Sequence, residues 1–227
     1  MTIRHRRWLL RPLALGVVLA SFWCGAQAQP APQAALRAEL AKPLAAAQEA
    51  LKNNQPTEAL ALARQARDVA GLTPAERVWV ERVVAVAALT ARQDDVALPA
   101  LEFLGSNASL PAAERASFLQ AQVDVATRLK DYPRLVRAAQ GYLAAGGTNL
   151  TVRLAMLQAM SLQGQHAAAA KTVEDLVAAG GAVPAPSERE LRLMAASYRQ
   201  LKDDAGYYRA LKQLVAHFPT PDYWGDL

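Results

Sequence analysis

Residues 187–219 read SERELRLMAASYRQLKDDAGYYRALKQLVAHFP, and this stretch decides the fold. Ser187 followed by Glu190 has the form of a capping box, in which a hydroxyl accepts from the helix backbone and a carboxylate reaches back to the cap. Leu191, Met194, Ala195, Tyr198 and Leu201 then recur at helical spacing. The polar group Lys202-Asp203-Asp204 interrupts them, and a second helical run follows until Phe218-Pro219 closes it. Helix, short turn, helix is the predicted unit.

Outward from this stretch the same arrangement recurs. Gly71-Leu72-Thr73-Pro74, Gly105 through Pro111, Gly146-Gly147-Thr148-Asn149, Gly180 through Pro186 and Phe218-Pro219-Thr220-Pro221 each read as a helix stop followed by a start. Their spacing is about 34 to 39 residues, the signature of a helical solenoid. Within each interval lies a second break: Asn53-Asn54-Gln55-Pro56, Gln93-Asp94-Asp95, Lys130-Asp131-Tyr132-Pro133, Gly164-Gln165 and Lys202-Asp203-Asp204. Thr73-Pro74-Ala75-Glu76 repeats the capping box, with proline at the first helical position. Ala, Leu, Arg and Gln dominate from Ala31 onward, and alternating β-branched runs are missing, so no strand is expected. About five hairpins fill the chain, each leaving an apolar face that only its neighbour can close.

The last unit resembles the tetratricopeptide repeat (TPR). Leu191, Met194, Ala195 and Tyr198 match its apolar, apolar, small, aromatic order, Pro219 falls where the closing proline stands, and Ala59 and Ala66 occupy the two small positions of the first unit's second helix. Tyr207 and Leu214 depart from the pattern, standing where small residues are expected. The resemblance spans residues 31–219 loosely and implies an all-α, right-handed α-solenoid whose first helices line a concave groove that holds a peptide or a partner's helix. The ending Phe218-Pro219-Thr220-Pro221-Asp222-Tyr223-Trp224 resembles the tail of repeat proteins that accompany TonB-type energy-transduction systems.

Residues 1–28 read as a cleaved secretory signal: basic Arg4, His5, Arg6 and Arg7, an apolar run from Leu13 to Trp23, then Ala26-Gln27-Ala28. The apolar run covers about 11 residues, against roughly 20 for a membrane-crossing helix, so no stable span is expected once it is removed. Bulky Phe22 and Trp23 argue against lipidation at Cys24. Arg6-Arg7 also resembles a twin-arginine signal, and the sequence leaves the export route open. The expected organisation is therefore signal peptide over 1–28, helical repeats over 29–219 and a tail over 220–227, in a periplasmic or secreted bacterial protein.

Once Arg4, Arg6, Arg7 and Arg11 are set aside, the chain's 25 basic residues come within one of its 20 acidic ones. The formal charge of +5 therefore belongs mostly to the leader, and nucleic-acid binding loses its support. Cys24, the one cysteine, leaves with the leader, which removes disulfides and thiolate chemistry from the expected mature chain. His166 and His217 stand in different units, without a His-Glu-x-x-His pairing, a nucleotide loop or a serine elbow beside them. No catalytic, cofactor-binding or metal-binding residue is expected. The expected partner is another protein or peptide of the cell envelope. Accessory service to TonB-dependent transport and an unrecognised envelope hydrolase are the alternatives.

Candidate contact residues lie beside the buried stripes. Arg189, Arg192 and Arg199 flank the apolar face of the last unit's first helix and suit a carboxylate; pairing with Glu188 and Glu190 on a solvated face is the plainer reading. Trp79 and Arg82 are types enriched at binding hot spots, although an indole on a Val- and Ala-rich helix also serves as core filler. Tyr223 and Trp224 either cover the open end of the stack or meet a partner.

Overall fold

The computed structural model describes residues 36–182 and 184–225. The expected signal peptide and cleavage site, with Cys24, lie outside the described residues. Among those residues there is no strand, and the chain runs through α1 (Ala38–Lys52), α2 (Pro56–Arg67), α3 (Pro74–Thr90), α4 (Asp94–Ser106), α5 (Ala112–Leu129), α6 (Tyr132–Ala144), α7 (Leu150–Leu162), α8 (His166–Ala179), α9 (Glu188–Leu201), α10 (Asp204–His217) and α11 (Pro221–Gly225).

The pairs α1/α2, α3/α4, α5/α6, α7/α8 and α9/α10 are the five predicted hairpins. Each helix packs on the next in sequence, and among the described residues no two helices more than two places apart touch. That serial order makes an open α-solenoid and excludes a closed bundle. Alternate helices meet at α1–α3, α5–α7 and α7–α9, but the junction of the second and third units brings α4 against α6 instead.

One turn builds every hairpin. Asn54, Arg92, Lys130, Gly164 and Lys202 all adopt left-handed backbone, with φ between 56° and 72°. The amide that follows donates back across the turn each time: Gln55 to Ala50, Gln93 to Ala88, Asp131 to Ala126, Gln165 to Met160 and Asp203 to Tyr198. This is the Schellman closure, and it satisfies carbonyls the helix end leaves open. Only one of the five positions is glycine, so the other four carry the cost of a Cβ in the left-handed region. Replacing Lys130 or Lys202 by glycine is expected to raise stability by about 0.5–1 kcal/mol, read from urea midpoints.

Counted from these turns, the core repeats. Ala63, Leu101, Ala139, Val173 and Leu211 hold one register on the second helices, and all are at most 2% exposed. Ala47, Ala85, Val123, Leu157 and Ala195 hold a second register on the first helices, and all are buried. Small side chains at the contacts let helix axes approach closely, while Leu40, Leu60, Leu98, Leu104 and Leu214 supply the large apolar burial. Each such leucine contributes roughly 1.5–3 kcal/mol.

Gly105, predicted to begin a helix stop, is instead buried inside α4. A Cβ there would stand 2.8 Å from Leu119 Cδ2 of α5, so the glycine serves the contact between helices, and the chain leaves α4 only at Asn107.

Candidate partner-binding surface

The start of α3 is fixed by the predicted capping box, Thr73 with Glu76. The structure adds a second duty for the carboxylate. Arg37, the residue before α1, donates to Glu76 through Nε (2.9 Å) and Nη2 (3.2 Å) and also reaches the Gly71 carbonyl. These guanidinium bonds, with the Thr73 backbone N–H next in weight, hold the Glu76 carboxyl at about 2, well below its ordinary 4.5. A carboxyl depressed in the folded state lends stability above its unfolded pKa and loses it as pH falls through the folded one. Acid titration from pH 5 to pH 2 should therefore show a stability loss that Glu76→Gln flattens, followed by circular dichroism at fixed urea.

Further along α3, Trp79 is half-buried, and the Arg82 guanidinium lies over its ring at 5.4 Å. Arg82 then bridges to Glu114 on α5 at 2.6 Å. The backbones of α3 and α5 do not touch, so this ion pair spans the gap between two first helices. Trp79 thus sits at the surface of the stack and does not serve as core filler.

On α9 the carboxylates are already engaged. Glu190 is fully buried and pairs with Arg153 of α7, and Glu188 accepts a hydrogen bond from the Tyr223 hydroxyl. That bond, with burial next, raises the Tyr223 phenol above its ordinary value. Arg189 and Arg192 are exposed, have no ion-pair partner among the described residues, and border a hollow of ≈ 470 Å³ with Glu188 and Leu193. Arg189 and Arg192 do lie on a solvated face, as the plainer sequence reading has it, but Glu188 and Glu190 bond Tyr223 and Arg153 instead of them. Arg199 has a separate place: its guanidinium lies 5.7 Å above the Tyr207 ring on α10.

Tyr223 is half-buried and packs on the core as the end cap, while Trp224 beside it is 62% exposed. The two aromatics that sequence treats as a pair therefore have opposite environments. Trp79 and Arg82 stand in the same register before Arg92 as Arg189 and Arg192 do before Lys202. Units two and five thus present equivalent positions.

No protein-family model and no curated protein matches the sequence. Solved structures that resemble the fold include a putative kinesin light chain of Podosopora anserina with nearly identical TPR-like repeats and a form of that same protein carrying one substitution. Each is 18% identical and aligns over 78% of this chain and 93% of its own, with TM-scores of 0.44 and 0.43 respectively. The described chain is an α-solenoid of helical hairpins.

Two further hollows escaped the sequence reading. One, ≈ 500 Å³, lies by Arg67, Leu72, Arg77, Glu81, Pro99 and Phe103, where Arg77 stacks over Phe103 at 4.6 Å and Arg67 pairs with Glu81. The other, ≈ 330 Å³, opens where α4 and α6 meet above α5. A signal for the latter exists in the sequence, but only once the turns are aligned: Gln122 holds the register of Ala46, Val84, Met156 and Met194.

Proposed function

We propose that this chain is a non-catalytic scaffold of the bacterial cell envelope, exported through residues 1–28, that binds another protein or peptide along the first helices of its hairpins. The observation that carries the reading is the pair Arg189 and Arg192, exposed over a hollow while both neighbouring glutamates are committed elsewhere. Guanidinium groups without an internal acid suit an acidic partner, and Trp79 with Arg82, the latter paired with Glu114, stands in the equivalent register of unit two.

A photo-crosslinker placed at Leu193, run in intact cells, should trap a defined envelope protein. Arg189→Glu with Arg192→Glu is expected to weaken that complex by about 2 kcal/mol or more, roughly thirtyfold, with unfolding midpoints unchanged. A partner captured equally well by the reversed-charge variant removes the assignment of this face. Recovery of the chain in the cytoplasm with residues 1–28 intact removes the envelope assignment.

A further inference from the structure

We propose that the cavity between α4, α5 and α6 is a binding site for a small carboxylic acid with a compact apolar body, separate from the first-helix surface described above. Its distinguishing residue is Gln122, which is 4% exposed and lines the cavity. Among the described residues its side chain makes no hydrogen bond, and its Oε1 lies 3.7 Å from where a Cβ of Gly105 would stand. The four other units place alanine, valine or methionine in this register. The amide is not sealed from solvent: its polar atoms open into the hollow, where a ligand can meet them, while packing alone asks only for an apolar side chain there.

The surroundings state what such an amide would meet. Leu119 and Ala138 give the cavity an apolar wall, and Gly105 and Gly141 let α4 and α6 pack closely on Leu119 at its edge. Arg115 and Arg137 also line it, and neither has an acidic partner among the described residues. Arg115 spends one N–H on the Leu110 carbonyl at 3.4 Å. The single acid in the lining, Glu102, faces Arg134 at 3.5 Å, so the local charge surplus is positive. Two free guanidinium groups select an anionic head, the amide donates to the same head or its neighbour, and ≈ 330 Å³ with an apolar wall admits a body the size of a single ring.

The test titrates the purified full chain with benzoate, benzyl alcohol and inorganic phosphate by calorimetry. Saturable benzoate binding is expected, with the uncharged alcohol and the bodiless anion each about tenfold weaker or worse. Arg137→Ala, at an exposed position, and Gln122→Met, which restores the side chain of units four and five, should each weaken benzoate about tenfold or more. Gln122→Met should leave the ligand-free melting temperature unchanged or higher, because the amide serves the ligand and not the fold. The proposal fails on any of three results: no saturable benzoate binding, phosphate or benzyl alcohol binding as well as benzoate, or a Gln122→Met chain that melts earlier.

Discussion

Glu190→Ala is expected to cost about 3–5 kcal/mol, the largest loss from any single polar side chain in the molecule. The carboxylate is fully buried and accepts from Arg153 Nε at 2.8 Å, from Arg153 Nη2 at 3.0 Å, and from both the backbone and the hydroxyl of Ser187 at 2.8 Å. Removing it strands a guanidinium whose side chain is 5% exposed, and an unpaired buried charge costs far more than the pair contributes. Arg153 also holds the Pro184 carbonyl, so the loop entering α9 loses its tether at the same time. Urea unfolding of Glu190→Ala should show the drop in midpoint, with protease cleavage appearing first between residues 180 and 187. The double variant Arg153→Met, Glu190→Leu should recover most of the loss, since apolar replacement of both partners removes the stranded charge. By contrast, Lys171→Ala, which breaks an exposed pair with Asp175, should stay within about 0.5 kcal/mol. A cost below about 1 kcal/mol for Glu190→Ala would show that water reaches Arg153 and that the pair does not tie unit four to unit five.

The same residue marks the limit of what sequence makes legible. Ser187 and Glu190 announce a helix start because a capping box is local, a matter of one turn. The second role needs Arg153, 37 residues earlier, and no local spacing rule connects them. Arg37 and Glu76 repeat that lesson at 39 residues. The hairpins themselves were readable from polar breaks and apolar spacing, but their common register was hidden. Asn54, Arg92, Lys130 and Lys202 do the work that glycine announces only at Gly164, so one geometry wears three different side chains. Gln122 was hidden for a related reason: glutamine is a good helix former and reads as surface until the turns are superposed. Arg189, Arg192 and Arg199 share one helix, but Arg199 lies in the last turn of α9, where the returning chain places Tyr207 beneath it, a neighbour that helix spacing alone does not reveal.

Tyr207 also poses the question that Gly206→Ala answers. The TPR resemblance expects a small residue at position 207, and a tyrosine there should obstruct the approach of α10 to α9. In the structure Tyr207 is only half-buried, and the close approach falls on its neighbour Gly206, which faces the Tyr198 ring. A Cβ on Gly206 would lie 2.3 Å from Tyr198 Cδ1 and 2.7 Å from Asp203 Oδ2, the carboxylate whose other oxygen caps α10 through the Gly206 N–H. Two effects oppose each other. Alanine in a helix is favoured over glycine by about 1 kcal/mol. Forcing a methyl into a filled contact costs about 1–3 kcal/mol or more, and here the ring has little room to yield: it is 6% exposed, its hydroxyl bonds Glu174, and Arg209 lies over it at 5.6 Å. The steric term wins, so Gly206→Ala should destabilise by about 1–2 kcal/mol and lower the melting temperature by several degrees. Tyr198→Leu in the Gly206→Ala background should make the alanine neutral or stabilising, a reversal of sign that only a direct clash produces. If Gly206→Ala instead stabilises the unaltered chain, the α9–α10 contact has slack, and the tolerance of Tyr207 needs another cause.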